Sequence, residues 1–503
     1  MINPNKLNNF IDKKRESLSW IKTVSEKEID CLLNDENIYF KTRPFFHQKI
    51  AVFLGMQIPK FMFLIQPGLG KTKIFIDLIA NYQNRGYGNA LIVVPRKTHI
   101  FSWMKEFGTH SDKPIRTGLN NSLVDVVDYG ILQTNLTKRI YDIKTEKNKY
   151  VPDSEKIAKL KYDILIIDES HNVKTPNSLR SKIVEQIAEK IPVKFGGTGT
   201  VFTTEPLDLW NQFHIVDNGR SFTNSYWFFR ECFHKMTIKT YRGRSVQEWV
   251  FDPKMKDKLN EILDASCLRY SVTECYDLPE KTRIIIECDD TKEIKENDPR
   301  KTLAKGKLPN VQNVYMRSRT VASGLVHVKN EEANIDYWKR LKETKIENLC
   351  ELLEEIGEEP VIIFYKFIET GKRIMEMLKE MEWDKDAVHL KGGMSEKETN
   401  QEMESFHSGR KRIVVSNLAV GAEGHNFQRS RYLICVELPD DPKSFVQMES
   451  RIYRTGQKNT CIFYYLLTKG SIEYSLLENL QTGRNFLAEL MKAPELLIEL
   501  QGK

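Results

Sequence analysis

The chain has 503 residues, enough for two to four domains. With 40% hydrophobic residues it can build real cores, and its 29% charged residues are somewhat more than usual. Its balance of 76 Lys+Arg against 69 Asp+Glu, a net charge of +7, permits a polyanionic partner without demanding one. Eight scattered cysteines contain no CxxC pair, which argues against a zinc site and for reduced thiols inside a cell. The start, Met1-Ile2-Asn3-Pro4-Asn5-Lys6, lacks the apolar stretch of a signal peptide, and no apolar run reaches the ~20 residues of a membrane span. A soluble protein, neither secreted nor membrane-bound, is the expectation.

In chain order, residues 1–40 predict a small helical leader from the spacing of Phe10, Ile11, Leu18, Trp20, Ile21, Leu32 and Leu33. Over 41–215, apolar runs alternate with amphipathic segments. The runs are Phe61–Ile65, Ala90–Val94, Leu123–Val127, Ile164–Ile167 and Val193–Phe195, and their continuity predicts buried parallel strands. Residues 216–340 read as a mostly helical insert, with one strand at Arg283–Glu287 and a charged tract near 290–308. The rhythm resumes over 341–480 with Val361–Tyr365, Val388–Leu390, Ile413–Val415, Tyr432–Val436 and Cys461–Leu467. A last helix is expected from Ile472 to about Leu500, filling 481–503. The fold class is therefore α/β, two parallel-sheet lobes flanking a helical insert.

The first chemical signal is Gln66-Pro67-Gly68-Leu69-Gly70-Lys71-Thr72, between an apolar strand and a helical pattern. Gly68 and Gly70 allow the backbone to wrap an anion. The amides and helix N-terminus then attract phosphate oxygens, Lys71 reaches the β- and γ-phosphates, and Thr72 holds Mg²⁺. By itself the stretch is equally a plain strand-to-helix turn. The second signal is Ile164-Leu165-Ile166-Ile167-Asp168-Glu169-Ser170-His171, a buried strand ending in two acids. At the carboxyl edge of a parallel sheet, Asp168 would hold the metal and Glu169 would orient and deprotonate water. Two acids capping a helix are the plainer alternative, which the upstream glycine turn disfavours.

Gln447, Arg451 and Arg454 lie at i, i+4 and i+7, so one helix would present them on one face, suited to a triphosphate or simply solvated. The loop Asn417 to Phe427 carries Gly421 and Gly424 where backbone would approach another surface. Gln48, in Arg43-Pro44-Phe45-Phe46-His47-Gln48, can pair with an adenine edge or stand exposed.

In this order the stretches resemble superfamily-two helicases, and within them the Swi/Snf-type DNA-dependent ATPases, over about 41–480. Arg43 to Gln48 resembles the adenine-reading motif, and Gly68 to Thr72 the phosphate loop. Leu91 to Pro95 with Trp103 is similar to a strand-gripping motif, and Asp168-Glu169-Ser170-His171 is a DExH box. Gly197-Thr198-Gly199-Thr200 resembles the coupling motif, Leu268-Arg269 and Leu278 to Thr282 the way into the second lobe, and Gln447 to Gln457 the sixth motif, ending Arg-x-Gly-Gln. Thr200 replaces a proline, Asp440-Asp441-Pro442 stands for Trp-Asn-Pro, and Leu268-Arg269-Tyr270 for Arg-Arg.

The resemblance implies two RecA-like lobes, ATP and Mg²⁺ as cofactors, and a monomeric motor moving on mainly double-stranded DNA. It assigns ATP to Gln48, Gly68, Leu69, Gly70, Lys71, Thr72, Gly424 and Gln447, catalysis to Lys71, Asp168, Glu169, Arg451 and Arg454, and coupling to Thr198, Gly199 and Thr200. By motif position it assigns nucleic-acid contacts to Pro95, Arg96, Lys97, Lys366, Lys391, Gly392, Ser416 and Asn417; Arg230, Arg242 and Arg244 add to the track or form a solvated face. A compact phage, viral or bacterial version fits the length, without a nucleosome role. A strand-separating or branch-migrating helicase shares these motifs, and a non-catalytic scaffold would have damaged Lys71, Glu169 or Arg454, which are intact.

Overall fold

The computed structural model describes residues 18, 20–142, 147–199, 206–241, 244–275, 279–302, 310–330, 335–342, 344–421, 425–454, 456–492 and 497. Thr200, Arg242, Leu278, Gly424 and residues 1–17 and 19 of the leader lie outside them. The chain divides into two compact units, Met1–Tyr276 and Asp277–Lys503.

The first unit is built on a seven-stranded sheet in the order Cys267–Tyr270, Lys60–Ile65, Val193–Thr198, Ile164–Asp168, Ala90–Val94, Val124–Asp128, Arg116–Thr117, with every pairing parallel. Ala90–Val94 and Ile164–Ile167 are fully buried, as continuous β-branched and leucine runs require in a sheet covered by helices on both faces. Parallel pairing places all the carboxyl ends on one edge. Leu64 lies opposite Thr198, and Asp168 opposite Gly197. The phosphate loop, the acidic pair and the coupling segment therefore emerge side by side although up to 130 residues separate them in the chain.

The leader's described helix, Glu26–Asp35, starts with a capping box between Ser25 and Glu28. Glu26 and Asp30 bind the Lys49 ammonium at 2.9 and 2.7 Å, docking this helix onto Phe46–Gln57.

The second unit repeats the plan with six parallel strands in the order Lys281–Cys288, Cys461–Thr468, Tyr432–Cys435, Val361–Tyr365, Ile413–Asn417, Ala387–Leu390. Its core joins these strands to Phe406, Phe427, Phe445, Met448 and Leu476.

The stretch 216–340 is not one helical body. The boundary between the units falls inside it, each sheet takes one strand from it, and it holds two antiparallel hairpins, His234–Tyr241 with Arg244–Phe251 and Leu325–Asn330 with Ile335–Arg340. A third hairpin, Thr137–Asp142 with Lys147–Pro152, sits in the first unit, where the sequence suggested none. Period-two alternation is weak in such polar ribbons, so they read as charged helix or loop. The closing helix is also interrupted: Glu473–Gln481 stops where Gly483 turns to φ 75° and Arg484 N donates to Asn479 O at 2.8 Å, and Phe486–Lys492 follows.

Candidate functional site

In the first unit, strand Lys60–Ile65 ends at Gln66, the loop turns through Gly68 (φ 90°) and Gly70 (φ 72°), and helix Lys71–Asn84 begins. Both glycines sit in the left-handed region that side chains with a Cβ rarely enter. At Gly70 a Cβ would also lie 2.3 Å from Gln48 Nε2.

Buried neighbours hold the loop from below. Gln48 Nε2 donates to Leu69 O at 3.3 Å while its Oε1 accepts from Phe45 N at 3.0 Å. His47 Nε2 contacts the same carbonyl at 2.9 Å, and since a carbonyl only accepts, Nε2 carries the proton. Burial holds the His47 pKa below its ordinary value, keeping the ring neutral. The adenine-reading residue of the sequence analysis is thus placed beneath the phosphate loop, with both ends of its carboxamide engaged to backbone.

Gln66 is stitched to the edge strand: its N donates to Tyr270 O at 3.0 Å, and its Oε1 accepts from Val272 N at 2.9 Å. Leu268-Arg269-Tyr270 is therefore part of the first sheet. Lys71 Nζ donates to Ile65 O at 2.8 Å, so its ammonium lies over the mouth of the loop, and Thr72 is half-buried in the first helical turn.

Asp168 is buried, and its two carboxylate oxygens accept from different directions: Oδ2 from Trp103 Nε1 at 2.8 Å, Oδ1 from Glu169 N at 3.0 Å. Burial and the neighbouring Glu169 raise its pKa. Trp103 is itself buried and stacks on Phe75 of the phosphate-loop helix, ring centroids 6.4 Å apart. By resemblance Trp103 belongs to a strand-gripping motif; in the structure it positions the acid. A tryptophan in the second turn of an amphipathic helix looks like core, so its indole N–H gave no signal.

Glu169 adopts φ 49°, ψ 56°, a conformation costing on the order of 1–3 kcal/mol outside glycine. Its surroundings fix it there. Its carbonyl accepts from Asn172 N (3.0 Å) and Nδ2 (2.8 Å), and its Oε2 lies 3.2 Å from His171 Nδ1 and 3.4 Å from Thr198 Oγ1. His171 Nδ1 is also 3.1 Å from Thr198 Oγ1, while Nε2 faces the Asn172 amide at 3.3 Å. An amide nitrogen only donates, so Nε2 accepts and Nδ1 carries the proton, toward Glu169, an assignment made from this network. Next in the chain, Gly199 packs against the loop, where a Cβ would lie 2.6 Å from Pro67. The acid, the histidine, the coupling threonine and the phosphate loop form one contiguous contact chain.

Of the first unit's assigned strand contacts, Pro95 is half-buried and Arg96 and Lys97 are exposed at the same sheet edge, where helix Lys97–His110 starts.

In the second unit the expected shared helix face is not formed. The helix is Pro442–Glu449, capped at Asp441, and Arg451 and Arg454 follow on turns. Side chains cause the stop. Ser450 Oγ (2.7 Å) and Arg451 Nε (3.2 Å) donate to Gln447 O, the carbonyl that Arg451 N would take in a continued helix; Arg451 N bonds Met448 O instead. Arg451 Nη1 donates to His425 O at 3.1 Å. Gln447 is buried, and Arg454 half-buried.

Gln457, the end of the Arg-x-Gly-Gln signature, is a buried clamp: Nε2 donates to Ser430 O (2.9 Å) and Gln428 O (3.1 Å), and Oε1 accepts from Lys458 N and Asn459 N. Glu449 binds Arg283, Lys281 and Tyr465. Burial alone would raise its carboxyl, but the Arg283 and Lys281 charges hold it below the usual range.

Several residues assigned to nucleic acid in this unit are engaged within it. Lys366 pairs with Asp440, and burial beside Arg319 lowers its ammonium to about 8. Asp440 also binds Arg319, wholly buried, and accepts from Tyr315 at 3.0 Å. Asp440, the residue that departs from Trp-Asn-Pro, is thus the shared counter-ion of two cations. Ser416 is buried, its hydroxyl against Gly421, where a Cβ would lie 2.1 Å away. Asn417 Nδ2 donates to Lys366 O at 3.0 Å, tying two strand ends together. Lys391 and Gly392 are exposed.

With this geometry in place, comparison with known proteins is informative. The SNF2-related domain family matches residues 14–325, well over half of the chain, and the helicase conserved C-terminal domain matches 344–456. The chain belongs to the SNF2-related family. An uncharacterized ATP-dependent helicase of Mycoplasma genitalium is 23% identical over 93% of this SNF2-related chain and 41% of its own length. The CHD3-type chromatin-remodeling factor CHR7 of Arabidopsis thaliana is 21% identical over 82% of the chain and 34% of its own length. The chain thus spans well under half the length of these curated relatives. Among solved structures, the Sulfolobus solfataricus SWI2/SNF2 ATPase core in complex with dsDNA matches at 18% identity and TM-score 0.39, covering 92% of this chain and 96% of its own.

Proposed function

We propose that this SNF2-related protein is an ATP-driven DNA motor, hydrolysing ATP and translocating on mainly double-stranded DNA without conventional strand separation. The observation that carries this reading is the contact chain from Gly199 and Thr198 through His171 to Glu169, beside Asp168 and a glycine-turned phosphate loop on one sheet edge.

Each group has a task it can perform from where it stands. The loop amides and the start of helix Lys71–Asn84 bind phosphate, and Lys71 swings from the Ile65 carbonyl to the β- and γ-phosphates. Thr72 and Asp168 fit a divalent cation: a hydroxyl in the first turn and a buried acid whose raised pKa a cation would reverse. Mg²⁺ bound there supplies charge neutralisation of the phosphates. Glu169 orients water and accepts its proton, and the His171 proton on Nδ1 fixes the direction of its carboxylate. Thr198 contacts both His171 and Glu169, so a shift of its strand end alters the base directly. Arg451 and Arg454 are the proposed donors to transition-state charge, and Arg96, Lys97 and Lys391, all exposed, the proposed phosphate contacts.

The test is ATP turnover measured without nucleic acid and with duplex DNA, single-stranded DNA, forked DNA and RNA. Duplex DNA is expected to stimulate most; equal or greater stimulation by RNA overturns the DNA reading. Lys71→Ala is expected to abolish turnover and leave DNA binding in place, and near-normal turnover refutes the site.

A further inference from the structure

The hairpin of strands Thr137–Asp142 and Lys147–Pro152 belongs to none of the sites described above. Each strand has six residues, so the ribbon is about 20 Å long. In its register Arg139 faces Tyr150 and Tyr141 faces Asn148, which sets Arg139, Tyr141, Asn148 and Tyr150 on one face. All four are exposed, Tyr141 by 60% and Tyr150 by 64%. On the other face Ile140 and Val151 are half-buried, where the second strand packs against helix Leu179–Ala188. The ribbon is therefore anchored by one face and presents the other, with two bare phenol rings, to solvent.

Arg139 is the cation on the tyrosines' face, while Lys138 and Lys149, both exposed, alternate onto the opposite face. Two flat aromatics beside an arginine on one exposed face match the chemistry of an unpaired nucleic-acid strand. The rings take base faces and the guanidinium takes phosphate. A duplex keeps its base faces stacked inside and offers these rings nothing comparable. The tyrosines are diagonal neighbours across the ladder, about 7–8 Å apart, within reach of neighbouring bases of one strand.

We propose that this ribbon is a binding platform for unpaired nucleic acid, holding bases on Tyr141 and Tyr150 and phosphate on Arg139. It deepens the motor reading, on which it rests: a protein that tracks along duplex would use the platform to hold strand locally opened in its path.

The experiment measures, by fluorescence anisotropy, affinity of the full chain for fluorescein-labelled oligo-thymidine and for a duplex of equal length, with ATP turnover in the absence of nucleic acid as the folding control. Tyr141→Ala/Tyr150→Ala is expected to weaken oligo-thymidine binding about 10-fold to 100-fold and leave duplex binding and basal turnover unchanged. Tyr141→Phe/Tyr150→Phe, which keeps the rings, is expected to bind like wild type. Unchanged oligo-thymidine affinity in the alanine variant overturns the platform, as does an equal loss on duplex. If wild type binds neither probe, the motor reading fails and the platform with it; if wild type binds both and the alanine variant does too, only the platform fails.

Discussion

The two lobes share a parallel-sheet plan but use their motif residues differently. In the first, Lys71, Asp168, Glu169 and Thr198 crowd one carboxyl edge, each already oriented by hydrogen bonds. In the second, most motif positions hold the lobe together: Ser416 is packed, Asn417 ties strand ends, Gln457 clamps a turn, and Lys366 is paired with Asp440. On the proposed reading, the first lobe's motif residues serve chemistry while most of the second lobe's serve architecture, because a buried donor with fixed partners cannot also meet a ligand without breaking them.

The sharpest way to break this contrast is to remove first-lobe chemistry. Glu169→Gln should lower ATP turnover by about 10³-fold or more while the Tm stays within a few degrees. A comparable loss of Tm would make Glu169 structural and erase the distinction. The reciprocal change is Asp440→Ala in the second lobe. It leaves Arg319 buried without its counter-ion, and the lobe should lose about 3–5 kcal/mol in a denaturant titration; a loss under 1 kcal/mol would show that the cluster is not what holds this lobe.

A smaller effect separates positioning from chemistry within the first lobe. Trp103→Phe keeps the stack on Phe75 but removes the donor to Asp168, and turnover should fall about 10-fold to 100-fold with a raised Mg²⁺ requirement. An unchanged Mg²⁺ dependence would leave Trp103 as core packing.

The smallest difference is in pH. In the second lobe, burial lowers His389 and His425 to about 4, so the unfolded chain binds their protons first. Stability is full above about 6.5 and is lost as the pH falls toward 4. In the first lobe, burial raises Asp77 to about 6 despite its ion pair with Lys73. Its contribution has the opposite sign, present below about 4 and lost as the pH rises through 6. Asp77→Asn should flatten the first lobe's pH profile between 4 and 6, and His425→Gln the second lobe's over the same window, both read by thermal melts.

The strands of both sheets were legible because strands buried on both faces of a parallel sheet are short continuous apolar runs. The phosphate loop and acidic pair were legible for the same reason: each follows such a run directly, so its place at the sheet edge comes with the strand. The hairpins were not, since polar ribbons at the surface carry little period-two signal, and 216–340 therefore passed for helix.

Spacing also misled at Arg451 and Arg454. It assumes a helix that continues, while Ser450 and Arg451 take the Gln447 carbonyl and end it. What the sequence by itself determined is the kind of chemistry and the strands that carry it, because residue type and local periodicity are properties of the chain. What only the tertiary structure decided is which of these side chains are already spent. Gln48 under Leu69, Lys366 on Asp440 and Trp103 on Asp168 depend on partners 21, 74 and 65 residues away, and a hydrogen bond across that distance exists only once the fold has closed it.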